Sequence, residues 1–403
     1  MNYWRFAKLK DDESWPMKFL SWVSSKWRLI PLLDRWLLGE LIQILLFAIV
    51  AFTVVCLSAG VMFDLVRKIV EFHLPLHFAL QAFSLRVPYF LVISFPMSTL
   101  LCTLLAYSRL SSNSELTALR SLGITTRRMI APALVLAIFM TGLTFVFNDV
   151  IVPRANSSAD VVLKRALGKS IATEKGKHVT FSRFGQIRGA KAEDTTQGLT
   201  HLFYSREFNR DKMQDVTVID LSRLGYTQML KANRGVWNEQ KAMWEFFDGN
   251  ILTLTPTGSM NKIKFDRYLY SLDSGPVKVA KLPKDAINMT VAQAMEAEKI
   301  YKDAGNRKEV RKIKVRIQEK FTLPMTCLVF GLIGSSLGAR PNSRTSRIQG
   351  FGICILLIFG YYTLSFSFSS LGLIGTLPPV LAPWLPILIS LAAGGVLLHQ
   401  SSK

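Results

Sequence analysis

Few residue patterns in this 403-residue sequence could support catalysis or metal binding. His73 and His77 share the spacing of one helix face, but Pro75 lies between them and no carboxylate is placed to complete a metal site. The Gly-Lys-Ser sequence at 168–170 is typical of the end of a phosphate-binding loop, but that loop needs a glycine where Leu163 stands. We therefore expect no enzyme, no metal and no cofactor in this chain, so any ATP site belongs to a partner subunit.

Charged residues flank several long apolar segments. Arg86 lies near the outer end of the second segment, Asp149 and Arg154 lie near the outer end of the third, and Glu319 and Lys320 lie at the start of the fourth. Two interpretations stay open: the side chains anchor helix ends at the membrane interface, or they contact an anionic amphiphile. An ion-coupled transporter would instead place carboxylates near the middle of the membrane, where this sequence has none.

The apolar segments themselves predict a membrane protein. Hydrophobic residues make up 50% of the chain, and its apolar runs approach or exceed the roughly 18 to 20 residues that cross a bilayer as helix. All four cysteines lie in these runs, which excludes a disulfide framework or a zinc site. The predicted spans are 41–63, 80–107, 129–151, 321–339, 350–372 and 378–398.

The orientation follows from basic residues in the short loops. They cluster in the N-terminal tail (Arg5, Lys8, Lys10, Lys18, Lys26, Arg28, Arg35), in the 108–128 loop (Arg109, Arg120, Arg127, Arg128) and in the 340–348 loop (Arg340, Arg344, Arg347). Both termini are therefore expected in the cytoplasm. The predicted domains are an N-terminal extension at 1–38, three transmembrane helices at 39–151, a β domain on the opposite side at 152–310, and three transmembrane helices at 311–403.

Residues 177–270 change from helical periodicity to alternating apolar and polar residues with turns between the runs. Short antiparallel strands at this spacing predict a sandwich or jelly roll. The fold class is therefore a six-helix membrane protein with an inserted extracytoplasmic all-β, jelly-roll-like domain. The exported region has more Lys and Arg than Asp and Glu, which suits anionic lipid head groups or phosphorylated sugars, or is simply a soluble basic surface.

A polar stretch, SSNSELTALRSLG at 111–123, separates the second and third spans. Ser112 and Glu115 have the spacing of a capping box, and Gly123 suits the left-handed residue that ends a helix. Leu116, Leu119 and Leu122 recur every three residues as an apolar ridge. A helix of this length is unstable alone, so it rests on the head-group layer or enters a groove on a cytoplasmic protein, for which an ATPase is the natural candidate.

The sequence resembles the lipopolysaccharide-export permeases of the LptF/LptG family from about residue 35 to its end. The matching segments are SRLSSNSELTALRSLGIT at 108–125, VPRANSSA after the third span, LKANRGVWNEQKAMWEFFDGNILTL in the β domain, and EKFTLPMTCLVFGLIGSSLGAR at the fourth span. The pattern Ser-Glu-Leu-x-Ala-Leu-Arg-x-x-Gly is the most specific of these. The N-terminal extension departs from the family.

The resemblance implies an ATP-driven exporter of lipopolysaccharide or a similar anionic glycolipid in the inner membrane. Its partners would be a cytoplasmic ABC ATPase dimer, a second permease of the same family, either a copy or a paralogue, and periplasmic jelly-roll bridge proteins, with no nucleic acid. The ATPase interface would comprise Glu115, Leu116, Leu119, Arg120, Leu122 and Gly123. From position and charge, lipid contacts are expected at Arg67, Lys68 and Arg86. An ion-coupled lipid transporter and a non-transporting envelope scaffold remain as alternatives.

Overall fold

The structure, a computed structural model, describes residues 31–72, 75–166, 177–188, 195–209, 212–272, 274–283, 286–339 and 347–401. The N-terminal extension up to residue 30, the 168–170 sequence and most of the 340–348 loop lie outside the described residues. His73 of the predicted histidine pair lies outside them as well.

Helices flank a central sheet on both sides in the sequence. Before the sheet come α1 (Leu32–Leu57), a π-helical turn (Ser58–Met62), α2 (Phe63–Phe72), α3 (Leu76–Ser112), α4 (Glu115–Ser121), α5 (Thr126–Val146), a second π-helical turn (Phe147–Ile151) and α6 (Val152–Ala166). After it come α7 (Gly275–Lys281), α8 (Val291–Asp303), α9 (Arg307–Gly338), α10 (Arg347–Ile374) and α11 (Leu385–Ser401).

Five stretches of the described chain are long and apolar enough to cross a membrane: Leu32–Met62, Leu76–Ser112, Thr126–Leu163, Arg307–Gly338 and Gly350–Ile374. They match the first five predicted spans, two of which run one residue beyond the observed stretch. The segment predicted as a sixth span forms a shorter apolar helix, α11, which begins at Leu385. Pro379 and Pro383 precede this helix, and a proline cannot donate the backbone hydrogen bond that a helix interior needs.

The sheet contains six described strands, all antiparallel: β1 (Lys177–Arg188), β2 (Thr195–Asn209), β3 (Lys212–Asp220), β4 (Thr227–Asn238), β5 (Met243–Leu254) and β6 (Met260–Tyr270). The inserted β domain is confirmed. Its described strands pair in sequence order as one meander, whereas a sandwich or jelly roll was expected. Short connections place each strand beside the preceding one, because a hairpin leaves no length for a crossover.

One row of residues crosses all six strands without ladder pairing. In each of the five strand pairs, two facing residues at this level are missing from the hydrogen-bonded ladder. The six residues concerned are His178, Arg206, Asp215, Asn233, Asp248 and Asp266. We call them the unpaired row. Its members on β1, β3 and β5 have φ values of 48°, 47° and 51°, in the left-handed region that aspartate tolerates better than most residues.

The unpaired row changes which residues face the core. In β3 the buried residue before the row is Met213, which has an odd number. The buried residues after the row are Val216 and Val218, which have even numbers. In β5 the same change separates Phe246 from Ile251. Each strand pair keeps the same register on both sides of the row, so neither strand gains a residue on its neighbour, unlike the two-against-one pairing of a β-bulge. The sheet therefore keeps one apolar face across the row although the buried positions change phase.

The apolar face of the sheet is covered by helices that continue into the bundle. Trp244 and Phe246 belong to the same buried cluster as Ala297 of α8 and Ile313 and Ile317 of α9. Helix α9 then runs without interruption to Gly338, so its first turns belong to the β-domain core and its last turns to the bundle. The domain boundary predicted at 310 falls within this single helix.

In the bundle, α9 packs closely on α3 through glycines. A Cβ atom on Gly334 would lie 2.9 Å from the carbonyl oxygen of Leu100 and would also meet the hydroxyl of Thr103. A Cβ atom on Gly338 would lie 2.8 Å from the carbonyl oxygen of Leu104. Small residues let helix backbones approach, which is how helices associate where lipid removes the hydrophobic driving force. We call this contact the glycine seam.

The glycine seam should be intolerant of a single methyl group. We expect Gly334→Ala to lower the free energy of unfolding by about 1 to 3 kcal/mol, because the added carbon overpacks two backbones. Gly360→Ala, on α10 with no atom within 4 Å of the added carbon, is the matched control. Thermal unfolding of the purified protein in detergent measures both. Equal unfolding temperatures for the two variants would contradict the seam.

Candidate functional site

A polar cluster lies where α9 passes from the β domain into the bundle, at the end that we call the β-domain side. Lys320 is 6% exposed, and its Nζ donates to the carbonyl oxygen of Asn148 over 3.1 Å. The same Nζ lies 3.9 Å from Oδ1 of Asp149. That oxygen also accepts the backbone N–H of Val291, at the start of α8, over 2.7 Å. The cluster therefore ties together the third apolar stretch, α8 and α9.

The second π-helical turn explains why Asn148 can serve as a partner. Asn148 and Asp149 lie inside Phe147–Ile151, where the helix widens to hydrogen bonds five residues apart. The ammonium of Lys320 contacts the carbonyl oxygen of Asn148 there, and the amide of Asn148 donates to the Lys320 carbonyl over 3.4 Å. Widened turns of this kind recur at functional sites because they present backbone groups to other side chains.

Arg316 and Glu319 extend the cluster by one turn of α9. The Arg316 guanidinium donates to Oε2 of Glu319 over 2.6 Å, and both side chains are partly exposed. Together with Lys320 and Asp149 they carry two positive and two negative charges. An anionic group entering here must therefore compete with Glu319 for Arg316.

The cluster forms the polar wall of a cavity of about 440 Å³ between α3, α9 and α10. The other walls are aromatic and aliphatic. The lining residues are Tyr89, Val92, Ile93, Asn148, Ala286, Ile287, Arg316, Glu319, Lys320, Thr322, Leu323, Thr326, Tyr361, Tyr362, Ser365, Phe366 and Ser369. A cavity with a charged wall and apolar walls fits a molecule that is itself amphipathic.

Hydroxyl groups line the inner part of this cavity. The hydroxyls of Thr326 and Tyr361 are 2.8 Å apart and join α9 to α10. The hydroxyl of Tyr362 is buried and has no hydrogen-bond partner within the described residues. Because leaving a buried hydroxyl unpaired is costly, it is a candidate donor to a bound ligand.

Of the three residues predicted to contact lipid, Arg67 and Arg86 are absent from the cavity lining. Arg67 lies on α2, exposed, and pairs with Glu71 over 2.9 Å. Lys68 is on the same helix, but its side chain is outside the described part of the structure. Arg86, on α3, lies 3.5 Å from Asp160 of α6. The prediction rested on position and charge along the chain, whereas the cavity combines helices distant in sequence.

The residues that do line the cavity had a weak signal in the sequence. Glu319 and Lys320 were noticed only as charges at the start of a span, with interface anchoring and amphiphile contact both open. The structure brings Lys320 to Asp149, a pairing across 171 positions that local spacing could not reveal. Arg316 was missed because its one-turn spacing from Glu319 is common on exposed helices.

A second candidate site is the polar helix at the opposite end of the bundle, which we call the far side. The predicted capping box is wrong, because Ser112 is the last residue of α3 and its hydroxyl donates to the carbonyl oxygen of Arg109. The residue that precedes α4 is Ser114, with φ of 62° and no side-chain cap. Glu115 instead accepts the side-chain amide of Asn113 over 3.0 Å. Gly123, with φ of 84°, ends this segment in the left-handed conformation as predicted.

The leucine ridge of α4 faces its own chain over most of its length. Leu116 is 2% exposed and belongs to the buried cluster of the far side, against which Leu119 is packed. Only Leu122 is exposed, at 78%. Arg120 also turns inward, toward the ends of α9 and α11. The surface that α4 offers to a partner therefore consists of Thr117, Ala118, Ser121 and Leu122.

Comparison with known protein families gives one match. The family described as "Lipopolysaccharide export system permease LptF/LptG" matches residues 35–400, nearly the whole chain. The matched region begins at the first described helix and includes both candidate sites. A search of curated proteins returned no match.

The pairing at the β-domain side can be tested by a double-mutant cycle. We expect Lys320→Met to lower the unfolding temperature, because Asp149 then loses a charged partner. Combined with Asp149→Asn, it should show a coupling of about 0.5 to 3 kcal/mol. Lys312→Met, which removes an exposed lysine 3.7 Å from Glu309, is the control. A shift for Lys320→Met no larger than that of the control, or strictly additive effects, would contradict the pairing.

Proposed function

Because the chain belongs to the LptF/LptG family of lipopolysaccharide export system permeases, we propose that it is the membrane subunit of an ATP-driven exporter. In this proposal it takes lipopolysaccharide from the inner membrane and passes it to periplasmic bridge proteins. The family and the apolar helices make it a multi-pass protein of the inner membrane. The proposal adds the energy source, the direction and the partners.

The cavity at the β-domain side is the observation that carries the proposal. Its charged wall suits the phosphorylated head of a glycolipid, and its aromatic and aliphatic walls suit acyl chains. At about 440 Å³ it has the size of a site for a small ligand, so it accounts for one part of a glycolipid. A second permease, either a copy or a paralogue, would supply the rest of the enclosure.

Two helices offer surfaces for that second permease or for lipid. In the most apolar part of the Gly350–Ile374 stretch, 11% of the residues are buried. In the most apolar part of Leu32–Met62, 28% of the residues are buried. Large apolar side chains are exposed on both, among them Phe47 and Phe359. In contrast, 72% of the residues in the most apolar part of Leu76–Ser112 are buried. Pairing would therefore involve the outer helices α1 and α10 and leave the centre unchanged.

The proposed orientation places the far side in the cytoplasm and the β domain in the periplasm. Arg109 and Arg128 lie at the far side, paired with Glu40 and Asp34. Arg127 is exposed beside them. Basic residues at one end of a bundle favour the cytoplasmic face. The ATPase dimer would then bind α4 through Glu115 and the exposed side chains between Thr117 and Leu122.

The alternative functions have less support. An ion-coupled transporter needs carboxylates deep in the bundle. In the described long apolar helices, Asp34 and Glu40 lie in the first three turns of α1, and Glu319 lies where α9 passes from the β domain into the bundle. A scaffold without transport would not need a cavity that combines charged and apolar walls. Export powered by a separate ATPase is the function that accommodates both candidate sites.

The cavity can be tested by filling it. We expect Ser365→Trp to reduce the lipopolysaccharide that copurifies with the permease by about tenfold, the effect of some 1.4 kcal/mol of lost binding. Ser367→Trp is the matched control, since Ser367 is exposed on the same helix and does not line the cavity. Mass spectrometry of lipid per permease measures both variants. Equal lipid retention by the two would count against the cavity as the binding site.

The partner at the far side can be tested by charge reversal. We expect Glu115→Lys to reduce the ATPase that copurifies with the complex in mild detergent, because it reverses the one charge at the start of α4. Glu71→Lys, an exposed carboxylate on α2, is the control for charge reversal alone. Full ATPase recovery and full transport by Glu115→Lys would contradict this interface.

A further inference from the structure

Arg120 links three helices at the far side of the bundle. It lies on α4, and its Nη2 donates to the carbonyl oxygen of Ala339 over 2.9 Å and to that of Ser401 over 3.3 Å. Ala339 directly follows α9, and Ser401 is the last residue of α11. One side chain of the polar helix therefore holds the ends of two other helices.

The chemistry of this contact favours arginine. The last carbonyls of a helix have no partner within the helix, and they carry the negative end of its dipole. The planar guanidinium presents several N–H groups in a fixed geometry, so it reaches two such ends at once. The Nε of Arg120 is buried and has no hydrogen-bond partner within the described residues, so this nitrogen is shielded from water.

Helix α9 connects the Arg120 contact to the β-domain core, the cavity wall and the glycine seam. At about 1.5 Å per residue, its 32 residues span about 48 Å. Along that length it carries Ile313 in the β-domain core, Lys320 in the cavity wall and Gly334 in the glycine seam. A displacement applied to its far end is therefore transmitted to the cavity and the sheet.

We propose that Arg120 is a positioning residue that transmits movement of α4 to α9 and α11, and is not itself a contact for the ATPase. This inference rests on the proposed function, in which an ATPase moves α4. It gives α4 two separate faces: an outer one that the ATPase holds and an inner one through which Arg120 moves the bundle.

Other contacts should keep the bundle assembled without Arg120. Arg109 of α3 pairs with Glu40 of α1, and Arg128 of α5 pairs with Asp34 of α1. Neither involves α4. The glycine seam also holds α9 to α3, up to the last residue of α9, without involving Arg120. We therefore expect Arg120→Ala to fold, and Arg120→Lys, which keeps a charge but loses the planar fork, to be intermediate.

The test uses the permease with its copurifying ATPase in proteoliposomes that contain lipopolysaccharide. Arg120→Ala should retain the ATPase and hydrolyse ATP, but remove about tenfold less lipopolysaccharide per ATP hydrolysed, within the usual range of coupling between sites. Arg127→Ala, an exposed arginine on the first turn of α5, is the matched control and should behave like the wild type. Loss of the ATPase by Arg120→Ala, or transport equal to that of the control, would overturn the proposal.

A distance measurement separates this inference from the proposed function. Nitroxide labels at Ser121→Cys on α4 and Val396→Cys on α11, in a chain without the four native cysteines, should give a narrow distance distribution. Arg120→Ala should broaden it and Arg127→Ala should not. An unchanged distribution in Arg120→Ala overturns the link, even in the permease alone. Absence of any ATPase from the wild-type preparation would instead contradict the proposed function.

Discussion

The close approach of α3 and α9 is the constraint on which the rest of the structure depends. Glycines at 334 and 338 remove the side chains that would keep the two backbones apart, so packing replaces the hydrophobic effect as the source of cohesion in lipid. Both helices are largely buried, whereas α1 and α10 remain exposed around them. The pair of α3 and α9 forms a rigid centre. The cavity wall formed by Lys320 and the far-side contact of Arg120 lie at the two ends of this centre.

The β domain uses a different solution to cover its core. A sandwich needs two sheets, but here the described strands form one meander, and its apolar face continues across the unpaired row. The core is completed by α8 and by the first turns of α9. The domain is therefore built onto the helix that also lines the cavity.

Much of this architecture could be predicted because it depends on local patterns. The length of the apolar runs predicted five of the six spans, and alternation predicted strands in 177–270, the region that holds all six described strands. The capping box failed because the hydroxyls of Ser111 and Ser112 are compatible with a longer α3, whose last turn takes Ser112. Lipid contacts at Arg67, Lys68 and Arg86 were argued from position and charge. The pairing of Lys320 with Asp149 depends on helices packed by tertiary contacts, which no local spacing encodes.

The unpaired row also left a pattern in the sequence, a change of phase in the apolar positions, which was hidden by the alternation of apolar and polar residues. In KMQDVTVID (212–220) and MWEFFDGNILTL (243–254) the buried positions change phase at the row, and within a single strand this change looks like noise. Because the change of phase falls at the same level in neighbouring strands, insertions and deletions within one strand are constrained by the strands paired with it. A residue gained on one side of the row would turn that strand's apolar positions outward while its neighbours stayed in place. Length variation among homologous domains should therefore be confined to the hairpin loops.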